Sequence, residues 1–262
     1  MPTQLQSPAQ PPPPEAAVAA GGIAIEHVSR AYPTSGGRTV RALDDLTLHA
    51  SPGQLVAVVG PSGCGKSTLL ELLCQLQSPD RGTIECPPAV LMPQRDLLLP
   101  WLSALDNAAL ALRIAGLKRS QARERAEALF AELGLEGFQG TRPHELSGGM
   151  RQRVAFLRTL LSGKPLLCLD EPFGALDAIT RGEMQEWLAR TLAREPRTVL
   201  LVTHDVEEAV LLADRVVVLS PRPGRVIGQL EVELTRPRVR TDSEVVNLRE
   251  RALGILGEGS RS

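Results

Sequence analysis

The chain has no surplus of positive charge. Its 29 Lys and Arg stand against 30 Asp and Glu, and the isoelectric point is near 6.5. That balance lacks the electrostatic footprint of non-specific nucleic-acid binding, so no nucleic-acid partner is expected. No apolar run approaches the roughly eighteen residues that a membrane span needs. The first 22 residues hold no Lys or Arg, which argues against a secretory signal peptide. Four consecutive prolines and few large apolar side chains make that stretch read as a disordered tail. Cys64, Cys74, Cys86 and Cys168 form no CxxC pair, which argues against a zinc site and for reduced thiols in a cytosol. What remains is ordinary for a globular protein, 43% apolar and 23% charged. The expectation is a soluble cytoplasmic domain, or two small ones, with a loose N-terminus.

Short apolar, β-branched runs at Ile23–Val28, Leu55–Val59, Leu166–Leu169, Thr198–Val202 and Arg215–Leu219 predict strands. Helical patterns lie between most of them, the rhythm of a largely parallel, covered sheet. From about Asp96 to Leu161 the spacing predicts helices and no strand. Ala126, Leu129, Phe130 and Leu133 make one apolar stripe, with Gly134 placed to cap it. Val154, Leu157, Leu160 and Leu161 make a second, after a small turn of Ser147, Gly148 and Gly149 whose free N–H groups suit an anion.

A better anion site comes about eighty residues earlier. Leu55–Val59 runs directly into Gly60, Pro61, Ser62, Gly63, Cys64, Gly65, Lys66, Ser67 and Thr68, and then into the apolar stretch LLELLCQL. This is G-x-x-x-x-G-K-[ST] in its strand–loop–helix setting. Its glycines let backbone N–H groups curl around phosphate oxygens, Lys66 reaches the outer phosphates, and Ser67 suits Mg²⁺. A later strand ends in Asp170 and Glu171, at the sheet edge where ligands sit. Asp170 suits the Mg²⁺ shell, and Glu171 can orient and deprotonate an attacking water. The run TVLLVT delivers His204 and Asp205 to the same edge, with Asp205 placed to cap a helix from Val206 to Leu212.

Taken with LSGGM at Leu146–Met150, these pieces resemble the ATP-binding subunit of an ABC transporter, over nearly the whole chain from Ile23 to about Leu256. The resemblance implies an α/β, P-loop NTPase core with a mainly parallel sheet, an N-terminal antiparallel β portion and an inserted helical subdomain. Core would fall at residues 23–95 and 162–262, the last stretch a C-terminal extension, with the helical subdomain at 96–161 and the tail at 1–22. It also implies roles: Tyr32 stacks on adenine, Gln94 links the Mg²⁺ shell to the helical insertion, Glu171 is the general base, and His204 contacts the γ-phosphate. ATP and Mg²⁺ are the implied ligands. Two such subunits, expected to be identical, pack head to tail, so that Ser147, Gly148 and Gly149 of one close on ATP held by the other. Integral membrane permease subunits, and indirectly a solute-binding protein, are the further partners, at the cytoplasmic face of the cell membrane.

The wording LLPW, PFGALDAITR, THDVEEAV and LADRVVVLSPRPGR looks like that of importers of nitrate, sulfonate, taurine and pyrimidine precursors. RPHELSGGMRQRVAF and QRDLLLPW lean towards a pyrimidine or related vitamin precursor. Met150 departs from the commoner LSGGQ, but it follows the phosphate-contacting residues, and hydrolysis is expected to survive it. Leu97, Leu98, Leu99, Trp101 and Leu102 are expected to line a groove for a coupling helix of the membrane subunit, the alternative being that they pack inside the helical subdomain. Cys64 has two readings as well, a reactive thiolate at a helix N-terminus or a small buried residue. A non-transport ATPase of the same family, acting on a soluble assembly, is the rival function.

Overall fold

The computed structural model describes residues 21–34 and 37–259. The expected tail lies outside the described residues, apart from Gly21 and Gly22. Strands β3 (Leu55–Val59), β6 (Leu166–Asp170), β7 (Thr198–Thr203) and β8 (Arg215–Leu219) are buried along their whole length. Strands covered on both faces read as unbroken apolar runs, which is why the sequence pattern finds them. With β5 (Ala89–Met92) and β9 (Val226–Glu231) they form a six-stranded sheet of order β5-β6-β7-β3-β8-β9, parallel except at the β8–β9 pair. A second, antiparallel sheet pairs β1 (Ile23–Pro33) with β2 (Thr39–Ala50) and β4 (Arg81–Glu85).

Strands β2, β4, β5 and β9 are additions to the predicted set, and each hides for a physical reason. The β1–β2 ladder shifts register three times, which breaks the period-two alternation. β4 is exposed at every residue but the half-buried Ile84. β5 is four residues long, and β9 is an edge strand.

Successive side chains of the large sheet face opposite ways. Leu55, Ala57, Val59, Leu167, Leu169, Val199 and Leu201 belong to one core layer. Val56, Val58, Leu166, Cys168, Leu200 and Val202 belong to the other, with helix α1 (Lys66–Leu73) and the antiparallel sheet. The first layer continues into the helices between β5 and β6: α2 (Ala104–Ala108), α3 (Leu110–Ile114), α4 (Arg119–Glu127) and α5 (Gly148–Leu160). Helices α6 (Ala178–Arg194), α7 (Val206–Leu212) and α8 (Ser243–Gly259) complete the chain.

The stripe at Ala126, Leu129, Phe130 and Leu133 differs from expectation in one respect. Helix α4 ends at Glu127, and the chain goes on in turns whose N–H groups bond three residues back, as Phe130 to Glu127 and Gly134 to Ala131. Phe130 and Leu133 are still buried. Gly134 takes a φ of 59°, and Arg153 Nη1 donates to the Leu133 carbonyl at 2.7 Å.

Helix α7 carries a buried acid. Glu208 accepts from Gln185 Nε2 at 3.2 Å, while its Oε1 is unpaired. Burial pushes its carboxyl up to about 7, Asp205 adds to the rise, and Thr203 and Gln185 oppose it. A raised carboxyl means that the folded state binds the extra proton, so this stabilisation is full below the ordinary glutamate range. It is lost as pH climbs through about 7. Glu208→Gln removes the titration, and its melting temperature at pH 8 is expected to exceed wild type by several degrees, with a smaller gap at pH 5. Thermal denaturation across that pH range checks this.

Candidate nucleotide-binding site

The carboxyl edge of the parallel strands gathers the phosphate loop, Gln94, Asp170, Glu171 and His204. β3 gives way to the loop from Gly60 to Gly65, and α1 starts at Lys66. Gly65 has a φ of 102°, and a Cβ there would lie 2.6 Å from the Ala42 carbonyl oxygen, so only glycine fits. Lys66 is buried, and its Nζ donates to the carbonyls of Gly60 at 2.8 Å and Pro61 at 3.1 Å. Ser62 and Gly63 are exposed and Pro61 half-buried on the loop, and in the first turn of α1 Ser67 is exposed and Thr68 half-buried. The loop thus offers open backbone around one buried cation, the arrangement that cradles phosphates. Cys64 settles to its bland reading. It is fully buried, and burial pushes its thiol up despite the pull of Lys66.

Asp170 closes β6 and accepts from Ser67 Oγ at 2.8 Å. Burial raises its carboxyl, the Ser67 bond lowers it, and the charge of Glu171 raises it again. Glu171 follows with a φ of 46°, a backbone state that costs an L-residue energy and is held here by its neighbours. Its N–H donates to Val202 at 2.8 Å, and its carbonyl accepts from Gly174 at 3.1 Å. Its carboxylate is pinned on both sides, Oε2 by Gln94 Nε2 at 3.0 Å and Oε1 against His204 Nδ1 at 3.0 Å. His204 follows β7, and Asp205 caps α7 by accepting from the N–H groups of Glu207 and Glu208. Gln94, Glu171 and His204 therefore form one chain of contacts drawn from three strand ends.

Tyr32 lies on β1, where its hydroxyl donates to Gln77 Oε1 at 2.8 Å and the Arg30 guanidinium sits 5.0 Å from the ring centre. The Ser147, Gly148 and Gly149 turn opens α5, with the Ser147 hydroxyl accepting from Met150 N–H at 3.2 Å. Ser147 and Gly148 are exposed. Gln152, on the same helix, donates to the Pro172 carbonyl at 3.1 Å, just past Glu171.

The sequence reading missed a clasp. Arg151 Nε reaches Asp96 Oδ2 at 3.0 Å, and Arg158 donates to the carbonyls of Asp96 at 2.7 Å and Leu97 at 2.9 Å. The segment after Gln94 is thereby fastened to α5. The signal was present as two arginines seven residues apart, on one face of a helix. The proposed groove needs one correction. Leu98 is only 8% exposed and packs in the core, whereas Trp101 is 67% exposed and Leu97 60%. Leu99 and Leu102 are half-buried.

Known proteins resemble this chain in sequence and in fold. The family model described as ABC transporter matches residues 43–174. An aliphatic sulfonates import ATP-binding protein of Rhodococcus jostii is 46% identical over 227 residues, covering 84% of this chain and 89% of the relative. A formylaminopyrimidine import ATP-binding protein of Halalkalibacterium halodurans is 41% identical over 243 residues, covering 92% and 95%. A taurine import ATP-binding protein of Chromobacterium violaceum is 41% identical over 248 residues, covering 88% and 94%. Among solved structures, a dimeric ATP-binding cassette in a post-hydrolysis state with ADP and Pi superposes with a TM-score of 0.74 at 27% identity, over 81% of this chain and 100% of that one. The phosphate loop, the acids at the end of β6 and the long identities carry the same conclusion: this chain belongs to the ABC transporter family.

Proposed function

We propose that this chain is the ATP-hydrolysing subunit of an importer for a small solute, working at the cytoplasmic face of a membrane as a head-to-tail dimer. The observation that carries it is the convergence of Lys66, the Ser67–Asp170 pair and the Gln94–Glu171–His204 chain on one sheet edge. Ser67 and Asp170 are hard oxygen donors already held together, a pair that fits Mg²⁺ with phosphate oxygens and water completing the shell. When bound, that ion supplies neutralising charge on the outer phosphates. Lys66 exchanges its own loop carbonyls for β- and γ-phosphate oxygens. Glu171, fixed by Gln94 and His204, accepts a proton from the water that attacks the γ-phosphorus, and the bond to the β-phosphate oxygen breaks. Ser147 and Gly149 of the second copy meet the γ-phosphate only while ATP is intact. Hydrolysis removes that contact and releases the dimer. Tyr32 holds adenine. The relatives named for sulfonates, taurine and formylaminopyrimidine support a small-solute importer, and the sequence wording favours a pyrimidine-type precursor.

Among the described residues no helix is long and apolar enough to cross a membrane, and the proposed transport path lies in separate permease subunits. Trp101 and Leu97 are the exposed apolar side chains next to the clasped segment, and they are the proposed contact to those subunits. The test is to hold the Glu171→Gln protein with Mg-ATP and capture its partners from detergent-solubilised membranes of its own cell. A multi-span permease is expected, with recovery falling at least about tenfold for Trp101→Asp, as for loss of a buried aromatic anchor. Capture of ribosomes or DNA factors without a membrane protein would overturn the transport reading.

A further inference from the structure

The single tyrosine of the chain is anchored to the helix that follows the phosphate loop. Tyr32 is half-buried on β1, and its hydroxyl donates to Gln77 Oε1 at 2.8 Å. Arg30 Nε donates to the same oxygen at 2.9 Å, and Gln77 Nε2 donates to Glu71 Oε2 at 2.6 Å. A guanidinium only donates and a carboxylate only accepts, so the Gln77 amide has one orientation and the tyrosine proton points at it. Glu71 lies within α1, and Thr68 Oγ1, in the first turn of that helix, is 3.4 Å from the Tyr32 hydroxyl.

Arg30 is itself fixed. Its Nη1 donates to Asp80 Oδ1 at 2.6 Å, while Asp80 Oδ2 accepts the N–H of Ala31 at 2.7 Å. The N–H of Asp80 donates in turn to the Ser29 carbonyl at 2.9 Å. So held, the guanidinium carbon lies over the Tyr32 ring, 5.0 Å from its centre and within cation–π range. A cation over one face of the ring leaves a base only the opposite face.

We infer, resting on the proposed role of Tyr32 as the adenine platform, that Arg30 and Gln77 are positioning residues for ATP. Gln77 sets the distance and tilt of the ring relative to α1, and Arg30 restricts the base to one face of it. Both act through Tyr32. Adenine and the phosphates are joined by a ribose of fixed reach, so a platform tied to α1 presents the base at the separation at which the phosphates meet Lys66. With the ring already anchored, ATP does not have to order it, and that part of the cost of binding is removed beforehand. Adenine is remote from the reacting phosphorus and keeps its contact throughout hydrolysis. Loss of either residue therefore weakens binding without slowing chemistry.

The test uses the full chain grown with 3-fluorotyrosine, in which Tyr32 gives the one fluorine resonance. In wild type that resonance should move on adding Mg-ATP and stay in place with Mg-tripolyphosphate, which has no base. Arg30→Met and Gln77→Met should weaken ATP binding and raise KM about three- to tenfold, the cost of ordering one side chain on binding, with kcat kept. Tripolyphosphate affinity should be unchanged in both variants, whereas damage to the fold would lower it too. Either variant binding ATP as tightly as wild type, or losing tripolyphosphate in proportion to ATP, would overturn the positioning roles and leave Tyr32 as the platform. A wild-type resonance that ignores ATP would overturn the Tyr32 reading and the positioning roles with it.

Discussion

Glu171→Gln should cut steady-state ATP hydrolysis by at least about 10², the usual cost of losing a general base, while ATP binding is kept. The substitution preserves size and leaves oxygen and nitrogen where Gln94 and His204 hold the present carboxylate at 3.0 Å. It removes only the capacity to take a proton from water. The strained backbone at Glu171, with its φ of 46°, is supported by bonds from and to the main chain, which the change does not touch. The variant should therefore hold unhydrolysed ATP and accumulate as the closed dimer. Phosphate release and nucleotide retention measured on one preparation check both halves. Undiminished turnover would remove Glu171 from the mechanism.

Lys66→Ala should do more, because it acts before chemistry begins. The ammonium is buried, donates to two loop carbonyls and also reaches the Cys64 sulfur at 4.0 Å. Those bonds hold it in the concavity of the loop until phosphate oxygens replace them. Without it the loop has its N–H groups but no full positive charge. Losing one preorganised donor at a developing charge costs about 10²–10³ in rate, and nucleotide affinity is expected to fall with it. Titration with a fluorescent ATP analogue and phosphate release are the measurements. Wild-type affinity in Lys66→Ala would mean that the nucleotide binds elsewhere.

Much of this site was legible because its chemistry is local. The phosphate loop needs glycines at fixed offsets between a strand and a helix, and that requirement is written in nine consecutive residues. Asp170, Glu171 and His204 stand at the ends of buried strands, and burial on both faces makes such strands obvious. The antiparallel sheet is another matter. β2 and β4 are held by pairing with β1; the alternation of β2 is regular only over Leu46–Ala50, and β4 is exposed along most of its length. The clasp of Arg151 and Arg158 on Asp96 was hidden for a similar reason, since two of its three bonds end on main-chain carbonyls that no residue type advertises. Leu98 shows the limit from the other side. Five large apolar residues in one stretch do not say which of them face out, and packing against the core decides it.

In the proposed mechanism each working site is built from two chains. Mixing Lys66→Ala with Ser147→Arg tests it most directly, because each variant alone lacks one half of every site. Ser147 is exposed, so arginine fits there at the cost of about 1 kcal/mol for the lost helix cap. Each variant should be nearly inactive by itself. The mixture should hydrolyse ATP at about a quarter of the wild-type rate, since half of randomly assorted two-fold dimers hold one intact pairing out of two. A mixture no more active than its separate components would contradict the account.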